Sequence, residues 1–262
     1  MNLIHALLIS TLLALFAVWR RALTPTGSLL AWALCLLITY AGGWTAFFVL
    51  AATFLCTVAA DKLAGSRADP HGLRRKSGRR DAVRVLCNVG AGALAMALYL
   101  MSYRSAFAVA YAGVMAESLA DSLASKLGPL SKQEPRDLCT GRPVPTGLSG
   151  GVTLLGTLAE ALGASVIAAI WGVGTKSLTA ALVVFAAGFL GAMADSVFGS
   201  RLQAKFRCPV CAVVTERETH CGEQGSLVSG FRRITNDTVN LLSNVTALAF
   251  VLAIRAIGAF AF

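Results

Sequence analysis

Charge is what this sequence has least of. Only 14% of its 262 residues are charged, about half of what a soluble globular domain carries. Just 13 are acidic, so any carboxylate in an apolar run stands out. With 56% hydrophobic residues and a mean hydropathy of +0.69, a water-soluble fold is excluded. The first apolar run lacks the basic start and small-residue cleavage site of a signal peptide, and Arg20-Arg21 follow directly, so that run is expected to be a span. Seven cysteines give no disulfide framework, since Cys35, Cys56 and Cys87 fall inside apolar runs as small apolar residues and Cys139 is a lone loop thiol. A Walker A loop is missing too. Gly172-Val173-Gly174-Thr175-Lys176-Ser177 has the wrong spacing and falls on the outward side.

What is present is span-length hydrophobicity. Eight stretches, roughly 3–19, 27–41, 43–60, 83–101, 104–124, 150–171, 177–194 and 236–258, are apolar enough to cross a bilayer. The second and third share the turn Ala41-Gly42-Gly43 and have a re-entrant pair as their alternative. Loops 20–26, 61–82, 125–149 and 195–235, with Arg84 at a span edge, hold 20 of the 23 Lys and Arg. The positive-inside rule makes those loops cytoplasmic and both termini external. The expected fold is an all-α polytopic membrane protein of about eight transmembrane helices, in a bacterial inner (plasma) membrane. Residues 1–262 form one transmembrane domain, and a small cytoplasmic Cys/His loop, 200–235, is inserted between the last two spans. The net charge of +10 is thus one-sided; setting topology and holding anionic lipid account for most of it, and gathering a phosphorylated substrate is the other reading.

The stretch Ala116–Gly128 carries the most chemistry. Glu117 and Asp121 are one helical turn apart on one face, in a segment that is otherwise apolar. Carboxylates there need a metal ion, a basic side chain, or both. Ala60-Asp61, Ala120-Asp121 and Ala194-Asp195 each close an apolar run, and each is followed within a turn or so by Ser and a basic residue. Asp237 opens the last span on the same side. Five carboxylates are therefore expected at one depth, the geometry of a polar site under the cytoplasmic surface. Asn88 and Asn240 add polar groups within spans. Asn236 joins them, with an N-cap as its plainer reading.

Two loops complete the inventory. Pro145-Thr146-Gly147-Leu148-Ser149-Gly150-Gly151-Val152-Thr153 runs into the sixth span. Glycines before a helix start let backbone N–H groups converge on phosphate oxygens, and packing of glycines against neighbouring helices is the competing role. Cys208-Pro209-Val210-Cys211 followed by His220-Cys221 supplies four soft ligands for a structural zinc.

These motifs resemble the integral-membrane family of transmembrane protein 19 and the plant and cyanobacterial phytyl-phosphate kinases. The likeness rests on Gly42-Gly43-Trp44, Val85-Leu86-Cys87-Asn88, Ala120–Ser125, Val144–Thr153, Asp195-Ser196 and Asn236–Asn240. It extends distantly to polyprenol kinases and CDP-diglyceride synthase. The chain departs from the family at Lys126, where an acid is usual, and at Leu148, where a hydroxyl residue is usual. The resemblance implies phosphoryl transfer from CTP or another nucleoside triphosphate to an isoprenyl phosphate lipid, with Mg²⁺ held by Glu117, Asp121, Asp195 and Asp237. Asp121, Lys126, Arg142 and Asp195 would be catalytic. Asn88, Thr146, Gly147, Ser149, Gly150, Gly151, Asn236 and Asn240 would bind substrate and phosphate. The expected partners are the nucleotide, the lipid and the membrane, with no nucleic acid and with a homodimer allowed. A transporter or lipid flippase is the alternative, disfavoured because the polar groups lie at one membrane face and not at its midplane.

Overall fold

The computed structural model describes residues 1–65, 73 and 79–258. The basic residues Arg67, Arg74, Arg75 and Lys76 lie outside the described residues. The helices are α1 (Leu3–Trp19), α2 (Pro25–Ala64), α3 (Ala82–Ser102), α4 (Ser105–Leu127), α5 (Leu154–Thr175), α6 (Leu178–Arg201) and α7 (Asn236–Ala256). Their starts are written in the sequence. Thr24 with Pro25 opens α2, and Asp81, Thr153 and Ser177 cap α3, α5 and α6 by accepting from the backbone N–H of Arg84, Gly156 and Ala180.

The 40-residue α2 is two arms, because Gly43 leaves helical geometry at φ 67° and ψ −154°. Only glycine takes that conformation without strain. The arms fold back on each other: Ala31 and Phe54 share one wall, as do Cys35 and Leu50. In a straight helix those pairs would be on the order of 20–35 Å apart. With α2 counted as two arms, the helical segments fall where the eight apolar stretches place them.

Among the described residues five helices (α2, α3, α5, α6 and α7) are long and apolar enough to cross a membrane. The exception that matters is α4, the centre of the bundle, packed by α2, α3, α5, α6 and α7. Every residue from Ala108 to Ala120 is buried. Its small side chains admit close neighbours: a Cβ on Gly163 of α5 would sit 2.7 Å from Ala120, and one on Gly188 of α6 would sit 2.5 Å from Ala116. Such a helix meets protein on all sides and needs no lipid-facing apolar surface. That is why α4 can afford the acids. α1 packs chiefly on α2 and leaves Leu8, Leu12 and Leu15 exposed.

Short strands decorate one end of the bundle. β1 (Arg136–Asp137) pairs with β2 (Gly151–Val152), and the Cys/His segment forms β3 (Lys205–Arg207), β4 (Val214–Thr215), β5 (Thr219–His220), β6 (Glu223–Gln224) and β7 (Ser226–Ser229) in two small antiparallel sheets.

Candidate functional site

At that end the helix termini surround a cavity of ≈ 170 Å³, room for on the order of ten waters. Asp121, Ser122 and Lys126 reach it from α4, Glu160 from α5, Asp195 from α6, Asp237 and Asn240 from α7, and Arg84 and Asn88 from α3. Gly147–Thr153 form another wall. The N-termini of α5 and α7 meet there, adding their dipoles. All five carboxylates singled out in the sequence thus come together around this end, three of them in the cavity wall and Asp61 through its pairing with the lining residues Lys126 and Arg80.

The fifth, Glu117, is 1% exposed and lies beneath the cavity. Ser243 Oγ donates to its Oε1 at 2.6 Å and lies 3.2 Å from Asp195 Oδ2, linking the two acids. Ser118 Oγ is 3.3 Å from the other Glu117 oxygen, 2.7 Å from the Asn88 carbonyl and 3.1 Å from Asn244 Oδ1. The Asn240 amide is 3.2 Å from that of Asn88 and 3.1 Å from that of Asn236; with its nitrogen turned toward Asp195 it donates there at 3.3 Å. Asn88, Asn236, Asn240, Ser243 and Asn244 therefore form a polar network that runs down α7 from the cavity wall to Glu117.

Asp61 joins the site through its cations. It bridges Lys126 at 2.7 Å and Arg80 at 3.2 Å, so Lys126 is tied to an acid on the neighbouring α2. Arg80 is placed by backbone pairing of its segment with Ala22 and Thr24, and burial draws its guanidinium pKa down, with Asp61 opposing. Arg84 is 3.7 Å from Asp237. Arg142 and Thr146 are outside the cavity lining, and Arg142 is exposed on the β1 hairpin.

The Gly-rich loop works chiefly by close approach. Its Leu148, Ser149 and Gly151 amides donate to Pro145 O, Glu216 Oε1 and Leu148 O, so they are engaged inside the protein. Gly147 and Gly150 have φ of +94° and +85°. A Cβ on Gly150 would sit 2.6 Å from the Ser200 backbone. Asp137 locks the same contact, accepting from Ser200 Oγ at 2.7 Å and from Thr140 N at 2.8 Å. Burial raises its pKa, but the Ser200 and Thr140 hydrogen bonds prevail and hold it below the usual carboxylate value. Gly150→Ala should therefore destabilise the protein by about 3 kcal/mol or more. Gly141→Ala, at φ +68° with open space around it, should cost only about 1 kcal/mol. Thermal unfolding of both variants in detergent checks the contrast.

The sequence reading missed Glu160, Glu216 and the site role of Arg80 and Arg84. Glu160 had a signal: a carboxylate in the middle of an apolar run. It is 4% exposed, and its Oε2 has no hydrogen-bond partner although it borders the cavity. A buried, unpartnered carboxylate oxygen facing a polar space fits a bound cation. Among the described residues no three cavity carboxylates converge on one point. That suits Mg²⁺, which keeps waters and takes one or two carboxylates together with substrate phosphates.

The Cys/His loop makes a second constellation. The ligand atoms of Cys208, Cys211, His220 and Cys221 all lie within 4.8 Å of one another. Cys211 and Cys221 sulfurs are 3.8 Å apart, and His220 Nδ1 is 3.5 and 3.3 Å from them. Zinc–sulfur bonds of about 2.3 Å in a tetrahedron require sulfur separations of about 3.8 Å. Adjacent ligands His220 and Cys221 both reach the centre because Cys221 takes φ 54° and Gly222 φ 82°. The thiols differ in acidity. The Cys211 backbone N–H leads in lowering Cys208 to about 6, while Cys221, against the Cys211 thiol, is raised to about 11. Three cysteine sulfurs and an imidazole this close together form a donor set suited to a soft cation.

This is an integral membrane protein with a polar chamber at one end of a helical bundle. The chain belongs to the family described as "Integral membrane protein DUF92", which it matches over residues 8–248. It is 31% identical to "Uncharacterized membrane protein sll0875" of Synechocystis sp. over 81% of this chain and 85% of that one. It is 27% identical to "Protein PGR" of Arabidopsis thaliana over 92% of each. No solved structure matches it.

Proposed function

We propose that the protein is a membrane-embedded kinase that moves a phosphoryl group from a nucleoside triphosphate, CTP above all, to an isoprenyl monophosphate. One observation carries this reading: a single chamber joins Asp121, Glu160, Asp195 and Asp237 to Arg84 and Lys126 beside a glycine-rich loop. In this reading all eight helical segments span the membrane, both termini face outward, and the chamber opens to the cytoplasm.

Phosphoryl transfer demands positioning and charge neutralisation more than covalent help. Mg²⁺, when bound, would neutralise charge shared between the phosphates. One or two of Asp121, Asp195 and Glu160 would hold it together with waters and phosphate oxygens, with Asp237 at the rim. Lys126, Arg80 and Arg84 bind phosphate oxygens, taking the part the sequence alone assigned to Arg142. The Gly147–Gly151 loop lets phosphates approach its backbone closely, and the α5 and α7 dipoles favour the same anions. Asn240, itself paired with Asn88, and Ser243 hold Asp195 in place. An oxygen of the acceptor phosphate attacks the γ-phosphorus, the bond from that phosphorus to the bridging oxygen breaks, and the nucleoside diphosphate leaves. No general base is needed, because a phosphate monoester is already anionic at neutral pH. The Cys/His loop binds zinc as a structural staple.

Purified protein with Mg²⁺, γ-labelled CTP and phytyl or geranylgeranyl monophosphate should yield labelled lipid diphosphate. No product with any nucleotide or chain length, together with Mg²⁺-independent lipid movement in liposomes, would replace the kinase by a flippase.

A further inference from the structure

A second cavity, ≈ 110 Å³ and almost wholly apolar, lies between α1, both arms of α2, α3 and α4. It shares four wall residues with the polar chamber: Arg80, Arg84, Asn88 and Ser122. The two spaces are therefore neighbours across one polar neck. Along α1 the groove runs from Ala17 to Ser10, and along the second arm of α2 from Thr57 to Leu50. Each stretch is eight residues, or about 10 Å of helix from first to last. An apolar space drawn out over that length suits a single extended hydrocarbon chain. The neck brings three cations, Arg80, Arg84 and Lys126, against two carboxylates, Asp61 and Asp237.

We propose that this groove holds the first part of a single hydrocarbon chain whose phosphate monoester sits at the Arg80–Arg84 neck, facing Asp121. The proposal rests on the kinase reading for its lipid class and adds where that lipid lies. Charge fixes the direction: the anionic head takes the cationic neck, and the tail takes the apolar side. A groove of about 10 Å covers a third of a bilayer's hydrocarbon thickness, so longer chains continue between helices into the membrane. α1 is the wall best suited to admit them, because it packs chiefly on α2.

The experiment uses the full-length protein in nanodiscs without nucleotide. The probes are a single-chain alkyl phosphate with a diazirine near its head, the matching alcohol, and a diazirine-bearing phosphatidic acid. The phosphate probe should label residues 10–17 and the two α2 arms, and the alcohol and the two-chain lipid should label them at least tenfold less. Ala14→Trp and Ala31→Trp fill the groove from half-buried positions and should reduce that labelling and the probe's affinity at least tenfold. Leu8→Trp, on the exposed side of α1, should not. Labelling confined to outward leucines, or equal labelling by all three probes, overturns the proposal. If either Trp variant misfolds, the labelling map of the unaltered protein still decides. Groove labelling without turnover by any nucleotide would keep the groove and defeat the kinase; turnover with labels elsewhere would do the reverse.

Discussion

Asp121→Asn should lower turnover by about 10³-fold or more while leaving the protein at least as stable as before. The two effects go together. Asp121 is within electrostatic reach of Glu117, Glu160 and Asp195, in a bundle where repulsion among carboxylates is poorly screened. Removing one charge relieves the others. A purely structural acid would behave in the opposite way, losing stability when its partners were left behind. The isosteric amide keeps volume and most hydrogen bonding, so the central packing of α4 is untouched. Thermal unfolding in detergent and single-turnover phosphoryl transfer measure the two halves separately. Unchanged turnover would take Asp121 out of the site. A lower unfolding temperature with turnover lost in proportion would make it a structural residue.

Much of this was legible in the sequence because burial in a membrane protein makes polarity conspicuous. Helix positions followed from apolar length, and Asp121, Asp195 and Asp237 stood out against their runs. The pairing of Gly42 with Gly43 marked the fold-back in α2, since the second of them takes the left-handed turn. Depth within a turn of helix was not legible. Glu117 and Asp121 share a face, but the extra turn inward puts Glu117 under the chamber, facing Ser243. Nor were tertiary partners legible: Lys126 pairs with Asp61, 65 positions earlier, and Ser149 with Glu216, 67 positions later. Arg80 and Arg84 were counted as membrane-orienting charge because a sequence shows how many cations a loop holds, not which of them turn into a cavity. Glu160 was passed over although its own run was as apolar as that around Glu117.

Loss of the metal from the Cys/His loop should reach the chamber through Glu216. This residue follows β4, between the two ligand pairs, and its Oε1 accepts from Ser149 N at 3.0 Å and Ser149 Oγ at 2.5 Å. Its backbone N–H, with the Thr215 hydroxyl, holds the Leu73 carbonyl of the basic loop at 2.9 and 2.7 Å. The Cys/His loop therefore meets the Gly-rich loop through the Glu216 carboxylate, and Leu73 through the Glu216 backbone N–H and the Thr215 hydroxyl. If the proposed zinc is bound, a segment of short strands with so little apolar core would depend on it for order. Cys211→Ser should remove about one zinc per chain, measured by metal analysis, and lower kcat/KM for the nucleotide at least tenfold with helix content unchanged by circular dichroism. Glu216→Gln separates the two links: zinc should stay, while loss of a charged acceptor worth about 1.5–3 kcal/mol should lower the same kcat/KM about 10- to 100-fold. Full activity in zinc-free protein would reduce the loop to a surface feature. Absence of zinc from protein purified without chelators would remove the metal from the scheme and leave Glu216 to hold the loop by itself.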